Sequence, residues 1–213
     1  MINAPAHHRI HGRVLMLLAV MILAIAAGIA VSSVLMDRTR EFLAFQPFPE
    51  ARELSAFELT TADGTGFVPD DLLGEWSLLF FGFTNCPDIC PDTLALLAEI
   101  RRDLDTMGLE KPPGVIFVSV DPERDQGDTL KDYVSWFHPD FVGVTGTKEA
   151  LEQFTRSLGA VYFLGEPDPD SGYYSVDHSA SVMVIDPRGR LRGRFPPPLD
   201  KDRLAADLFS LAR

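Results

Sequence analysis

Cys86 and Cys90 are the chain's two cysteines, with three residues between them in Cys86-Pro87-Asp88-Ile89-Cys90. Thiolates are soft donors that select Cu(I), Zn(II) or iron–sulfur clusters, and a pair of thiols can also close into a disulfide or exchange with one. If one helical turn links them, a spacing of four places both sulfurs on the same side. A metal held by two thiolates usually recruits a third donor, often imidazole. Beyond the N-terminal tail the chain offers only His138 and His178. His138, in Trp136-Phe137-His138-Pro139, reads as a helix-end residue, where the helix dipole favours imidazolium. His178, in Val176-Asp177-His178-Ser179-Ala180, stands on a turn leading into a core strand. On residue type alone it is open whether His178 is a structural residue or a ligand; a cysteine pair lacking a partner raises the second reading.

The elements around these residues follow from apolar patterning. Trp76 to Phe83 is a continuous apolar run, as expected of a strand buried on both faces. Pro91 suits the first turn of a helix, and Leu94, Leu97, Ala98, Ile100 and Leu104 recur at helical spacing until Gly108. The cysteines therefore fall at a strand-to-helix junction. The unpaired N–H groups there are expected to favour thiolate at Cys90, and secondarily at Cys86. Gly114 to Val120 reads as a second buried strand, and residues 128–137 and 148–158 as helices flanking the apolar Phe141–Val144 stretch. Phe57–Thr60 and Gly66–Val68 suggest a small hairpin. Residues 165–172 read as an acidic, turn-rich loop, and Ala180–Ile185 with Arg190–Phe195 are expected to flank the tight turn Asp186-Pro187-Arg188-Gly189. Leu204, Leu208 and Leu211 mark a closing helix. Alternating strands and helices predict an α/β domain with a mainly parallel sheet.

Residues 14–36 are uncharged and long enough to cross roughly 30 Å of hydrocarbon, which predicts one transmembrane anchor. The expected organisation is a cytoplasmic tail (1–13), the anchor (14–36), an extended connector (37–52) and one domain (53–213). Residues 37–213 carry 17 basic and 31 acidic residues, a net charge of −14. That acidity argues against nucleic acid and suits cations or a basic protein partner. Arginines flank the anchor almost evenly, so the positive-inside rule leaves its direction nearly balanced.

Three segments, GFTNCPDICP at 82–91, SVDPERD at 119–125 and DHSASVMVIDPRG at 177–189, resemble the Sco/SenC copper chaperones in order and spacing. The resemblance covers roughly residues 50–212 and includes the N-terminal anchor. It implies a thioredoxin-like fold with an added β-hairpin, and copper, as Cu(I) and also Cu(II), bound by Cys86, Cys90 and His178. It further implies a role in building the dinuclear copper A centre of cytochrome c oxidase subunit II, and a single pass through the inner membrane with the domain in the periplasm. Many members have histidine before the first cysteine, where this chain has Asn85. The rival reading is a thiol–disulfide oxidoreductase in which Cys86 and Cys90 are the redox-active pair. Ordinary thioredoxin motifs, however, have two intervening residues and need no distant imidazole. A copper or redox sensor is a further alternative. A peroxiredoxin-like peroxidase expects threonine where Phe83 stands. Asp88 and Asp121 lie in the matching motifs without an assigned role.

Overall fold

The computed structural model describes residues 7–38, 41–166, 168–169 and 174–213. The chain divides into two units, at Glu41 and Phe42. The first contains α1 (His7–Arg38), within which Val14–Ser32 is a 19-residue stretch of mean hydropathy 3.0, long and apolar enough to cross a membrane. Residues 1–6 of the expected tail lie outside the described residues.

The second unit runs β1 (Gln46–Glu53), β2 (Leu59–Thr61), β3 (Gly66–Phe67), a 3₁₀ turn (Pro69–Leu72), β4 (Ser77–Gly82), α2 (Ile89–Thr106), β5 (Gly114–Ser119), α3 (Gly127–Phe137), β6 (Val142–Thr145), α4 (Lys148–Ser157), β7 (Tyr162–Leu164), β8 (Val176–His178), β9 (Val182–Ile185), β10 (Arg190–Phe195) and α5 (Lys201–Ala212). Eight strands form one sheet in the order β1-β10-β9-β4-β5-β6-β2-β3. Among the described residues, only β4, β5 and β6 pair in parallel; β9, β10, β1, β2 and β3 join antiparallel. The expectation of a mainly parallel sheet is thus corrected to a mixed one. Hairpins supply the added strands, and two-residue or tight turns such as the one at Gly189 (φ +74°) can only make antiparallel neighbours.

The apolar run of β4 is buried along its whole length because it alternates between two cores. Leu78 and Phe80 meet α2, α3 and α5 through Leu94, Leu97, Leu130 and Leu204. Leu79 and Phe81 face the opposite side with Leu151 and Phe154 of α4. Capping is explicit at two helices: Thr147 Oγ1 accepts from the Ala150 N–H, and Asp200 accepts from the Arg203 N–H.

Residues 46–52 of the expected connector lie, together with Glu53, in a sheet strand, with Gln46 opposite Arg194 and Glu53 opposite Arg190. The physical reason lies just upstream. Asp207 of α5, itself buried, accepts hydrogen bonds from three consecutive backbone N–H groups, those of Leu43 (2.9 Å), Ala44 (2.7 Å) and Phe45 (2.8 Å). A carboxylate holding three donors fixes where the chain enters the domain and delivers Gln46 to the edge of β10.

Candidate metal centre

β4 ends under the site, and its last residue explains why the next turn is tight. A Cβ at Gly82 would lie 2.6 Å from Cys90 Sγ and 2.7 Å from the Phe117 ring, so only glycine lets the first helical turn sit this close to the strand. Thr84 then leads the chain into the cysteine loop. Its N–H and hydroxyl donate to the two carboxylate oxygens of Asp125 at 2.7 and 2.6 Å, and Ser119 Oγ donates to Asp125 as well, at 2.6 Å. Burial pushes the Asp125 carboxyl above its ordinary range, and these hydrogen bonds pull it back. Asp125 is a positioning residue that sequence reasoning missed, although the quoted SVDPERD segment contains it.

Cys86 is partly exposed and Cys90 fully buried, and both are free thiols. The expectation that the helix terminus favours thiolate at Cys90 is corrected. Residue 90 lies in the first turn of α2 with its sulfur turned into the core. The helical N–H of Cys90 points instead at Cys86 Sγ, 3.4 Å away. Desolvation pushes the Cys90 thiol well up, with the nearby Cys86 adding to the rise. Cys90 is therefore a protonated thiol at neutral pH.

His178 closes β8, a strand that pairs with β7 in a separate two-stranded ribbon with Tyr162 opposite His178. Nδ1 of His178 lies 3.2 Å from the Ser179 carbonyl, which can only accept, so Nδ1 carries the proton. Nε2 then presents its lone pair to Cys90 Sγ at 3.4 Å. Burial holds the imidazole below its ordinary range. Phe80 and Phe83 wall the ring edge-on at 5.9 and 6.2 Å between centroids. The pair is thus a neutral thiol donating to a neutral imidazole. A soft cation in place of that single proton would find donors already converged.

Cys86 Sγ, Cys90 Sγ and an imidazole nitrogen of His178 lie within 4.8 Å of one another. His178 is 88 residues from Cys90 in sequence, so the fold alone brings them together. His138 stands apart from this set: it caps α3, its Nδ1 accepts from the Asp140 N–H, and it stacks on Phe141. Asp88 is the exposed N-cap of α2, and its side chain makes no capping hydrogen bond. Asp121 is buried and engages Tyr174 and Arg124, two further residues that sequence reasoning passed over.

Residues 46–213 match the family model described as SCO1/SenC. The human protein SCO1 homolog, mitochondrial, is 36% identical over 157 residues, which cover 74% of this chain and 52% of that protein. The chain spans about half the length of several curated relatives it matches. Among solved structures, Arabidopsis thaliana ScoI with copper bound superposes with a TM-score of 0.68 at 35% identity, covering 74% of this chain and 96% of that one. Apo Sco1 from Thermus thermophilus gives 0.71 at 34% identity, covering 81% and 99%. The architecture these share with the second unit is the thioredoxin-like α/β fold that the motifs implied. With a matching family model across the whole sheet domain and relatives above a third identical, the chain belongs to the SCO1/SenC family.

Proposed function

We propose that this chain is a membrane-anchored copper carrier that holds Cu(I) on Cys86, Cys90 and His178 and passes it to the dinuclear copper A site of cytochrome c oxidase subunit II. The observation that carries the reading is the convergence of two sulfurs and one lone-pair nitrogen within 4.8 Å. Two soft donors and an imidazole suit Cu(I), and an added oxygen ligand would suit Cu(II). The copper-bound Arabidopsis relative supports the choice of metal. Three donors on a site with one partly exposed sulfur leave a side open for an acceptor's ligand. Transfer then proceeds by ligand exchange, with copper unchanged in oxidation state and each departing sulfur regaining a proton.

The Val14–Ser32 stretch supports the anchoring part of the reading: a 19-residue apolar segment has the length a bilayer core demands. In this proposal the domain lies on the periplasmic side of the inner membrane, where tethering raises its effective concentration toward a membrane-bound acceptor. The acidic domain suits an acceptor with a basic docking face.

The test is an anaerobic Cu(I) competition titration of the 213-residue chain in detergent. His178→Ala should weaken binding about 50-fold, or about 2.3 kcal/mol. The loss is limited because two thiolates alone can hold Cu(I) in linear geometry. Unchanged affinity would rule out the three-donor site. Affinity should also climb with pH between 6 and 8, by about tenfold per unit for each proton displaced. The sign follows from Cys90, whose raised pKa keeps the competing proton in place across that range. Burial lowers the His178 pKa, so its proton competes less than that of a free imidazole. A flat profile would contradict a Cys90 ligand.

Cys86 and Cys90 also support a second reading, thiol–disulfide exchange. Cys86 is the accessible sulfur and Cys90 the shielded one behind it. Cys86 would attack a partner disulfide and Cys90 would resolve the mixed disulfide, passing two electrons to the partner and leaving Cys86–Cys90 oxidised. Such a step would ready an acceptor's cysteines for copper.

A further inference from the structure

We propose that Asp121, Arg124 and Tyr174 form a clamp that holds the His178 arm in its ligating position. Copper binding then depends on positioning residues which themselves touch no metal. The inference rests on the three-donor site above. Its starting point is that His178 lies outside the main sheet. The β7–β8 ribbon pairs with itself, and the Val161–Ser179 hydrogen bonds also stay within it. A two-stranded ribbon is marginal alone, so the place of His178 must be set by ties to the body of the domain.

Tyr174, four residues before His178, supplies such a tie. Its hydroxyl donates to Asp121 Oδ1 at 2.5 Å. Arg124 Nε donates to the other oxygen of the same carboxylate. The guanidinium carbon lies 3.8 Å over the Tyr174 ring, and Nη2 reaches the Tyr174 carbonyl at 3.5 Å. Asp121 is 1% exposed. A buried carboxylate that lost a donor would be left undersatisfied, which makes the arrangement selective for one placement of Tyr174. Arg124 also approaches the Phe83 ring at 5.9 Å, and Phe83 meets the edge of the His178 ring.

The clamp grows from the same short segment that fixes the cysteines. The Arg124 and Asp125 N–H groups both donate to the Asp121 carbonyl, closing a compact turn after β5. From one end of that turn Asp125 holds Thr84 and the cysteine loop; from the other Asp121 and Arg124 hold Tyr174 and the histidine arm. Asp121–Asp125 therefore registers the two halves of the site against each other. If the competent arm position fell to a tenth of the population, apparent affinity would fall about tenfold, within the range typical of outer-shell losses.

The deciding experiment is a double-mutant cycle on the 213-residue chain in detergent, with Cu(I) competition as one readout and amide exchange of the metal-free chain at Val176–His178 as the other. Tyr174→Phe keeps the ring and its stacking and removes only the hydroxyl. It should weaken Cu(I) binding about tenfold in the otherwise unchanged chain and less than about twofold in the His178→Ala background. Exchange at Val176–His178 should rise in Tyr174→Phe while α2 and β4 stay protected. Equal losses in both backgrounds, or no loss in the unchanged chain, would overturn the clamp. His178→Ala binding as tightly as the unchanged chain would instead overturn the metal-site reading, and the exchange data would separate that result from failure of the clamp.

Discussion

Cys90→Ser is expected to weaken Cu(I) binding by more than about 1,000-fold, over about 4 kcal/mol, the largest single effect at this site. Serine is nearly isosteric but offers a hard oxygen that stays protonated, so the site loses one of its two soft donors and cannot form even a linear dithiolate. The same substitution tests packing. Cys90 is fully buried beneath the strand end, and its sulfur faces Nε2 of His178. A hydroxyl can keep that hydrogen bond, so stability should fall by only about 1 kcal/mol. Cys86→Ser, at the more exposed sulfur, should match the copper loss with less effect on stability. Cu(I) titration and urea unfolding, run on both variants, check the pattern. Copper affinity within a few-fold of the unchanged chain in either variant would remove the cysteine pair from the ligand set.

Gly82→Ala should be nearly as damaging, through a different link. The added methyl would sit 2.6 Å from Cys90 Sγ and 2.7 Å from the Phe117 ring, both well inside van der Waals contact. Neither neighbour can swing into solvent, because Phe117 and Cys90 are both fully buried. Relief must come from a shift of the first turn of α2 away from β4 or from displacement of Phe117. Overpacking of this kind costs about 1–3 kcal/mol, read as a lower urea midpoint. The shift also carries Cys90 Sγ away from His178, so copper affinity should drop together with stability. An unchanged midpoint with unchanged affinity would mean that the junction yields freely and that the close approach at Gly82 does not set the site.

Both effects show how unevenly the chain discloses itself. The central strands were legible because burial on both faces leaves unbroken apolar runs, as in Leu78–Phe81 and Val115–Val118. α2 was legible because its buried Leu94, Leu97, Ile100 and Leu104 repeat at helical spacing. β1 was not. Its sequence, with Pro47 and Pro49, lies mostly exposed at a sheet edge, where prolines are tolerated and no apolar face is required. β7 is three residues long and only partly covered, too short for a period to show.

At the site itself, the sequence by itself determined which side chains have the chemistry: two thiols one helical turn apart at a strand-to-helix junction, and very few imidazoles with which to complete a set. Residue type and local spacing suffice for that, because donor softness is a property of the side chain. Which atoms converge was decided only by the tertiary structure. It carries His178 to within 3.4 Å of a sulfur 88 positions away, and its Asp121–Asp125 turn links the two segments. It also overturned the expectation for Cys90. The N–H of Cys90 is aimed at Cys86, while the Cys90 sulfur lies in the core, where desolvation outweighs the backbone hydrogen bond at Phe83 and keeps its proton on. Burial and long-range contact depend on every element at once, so no window of sequence contains them.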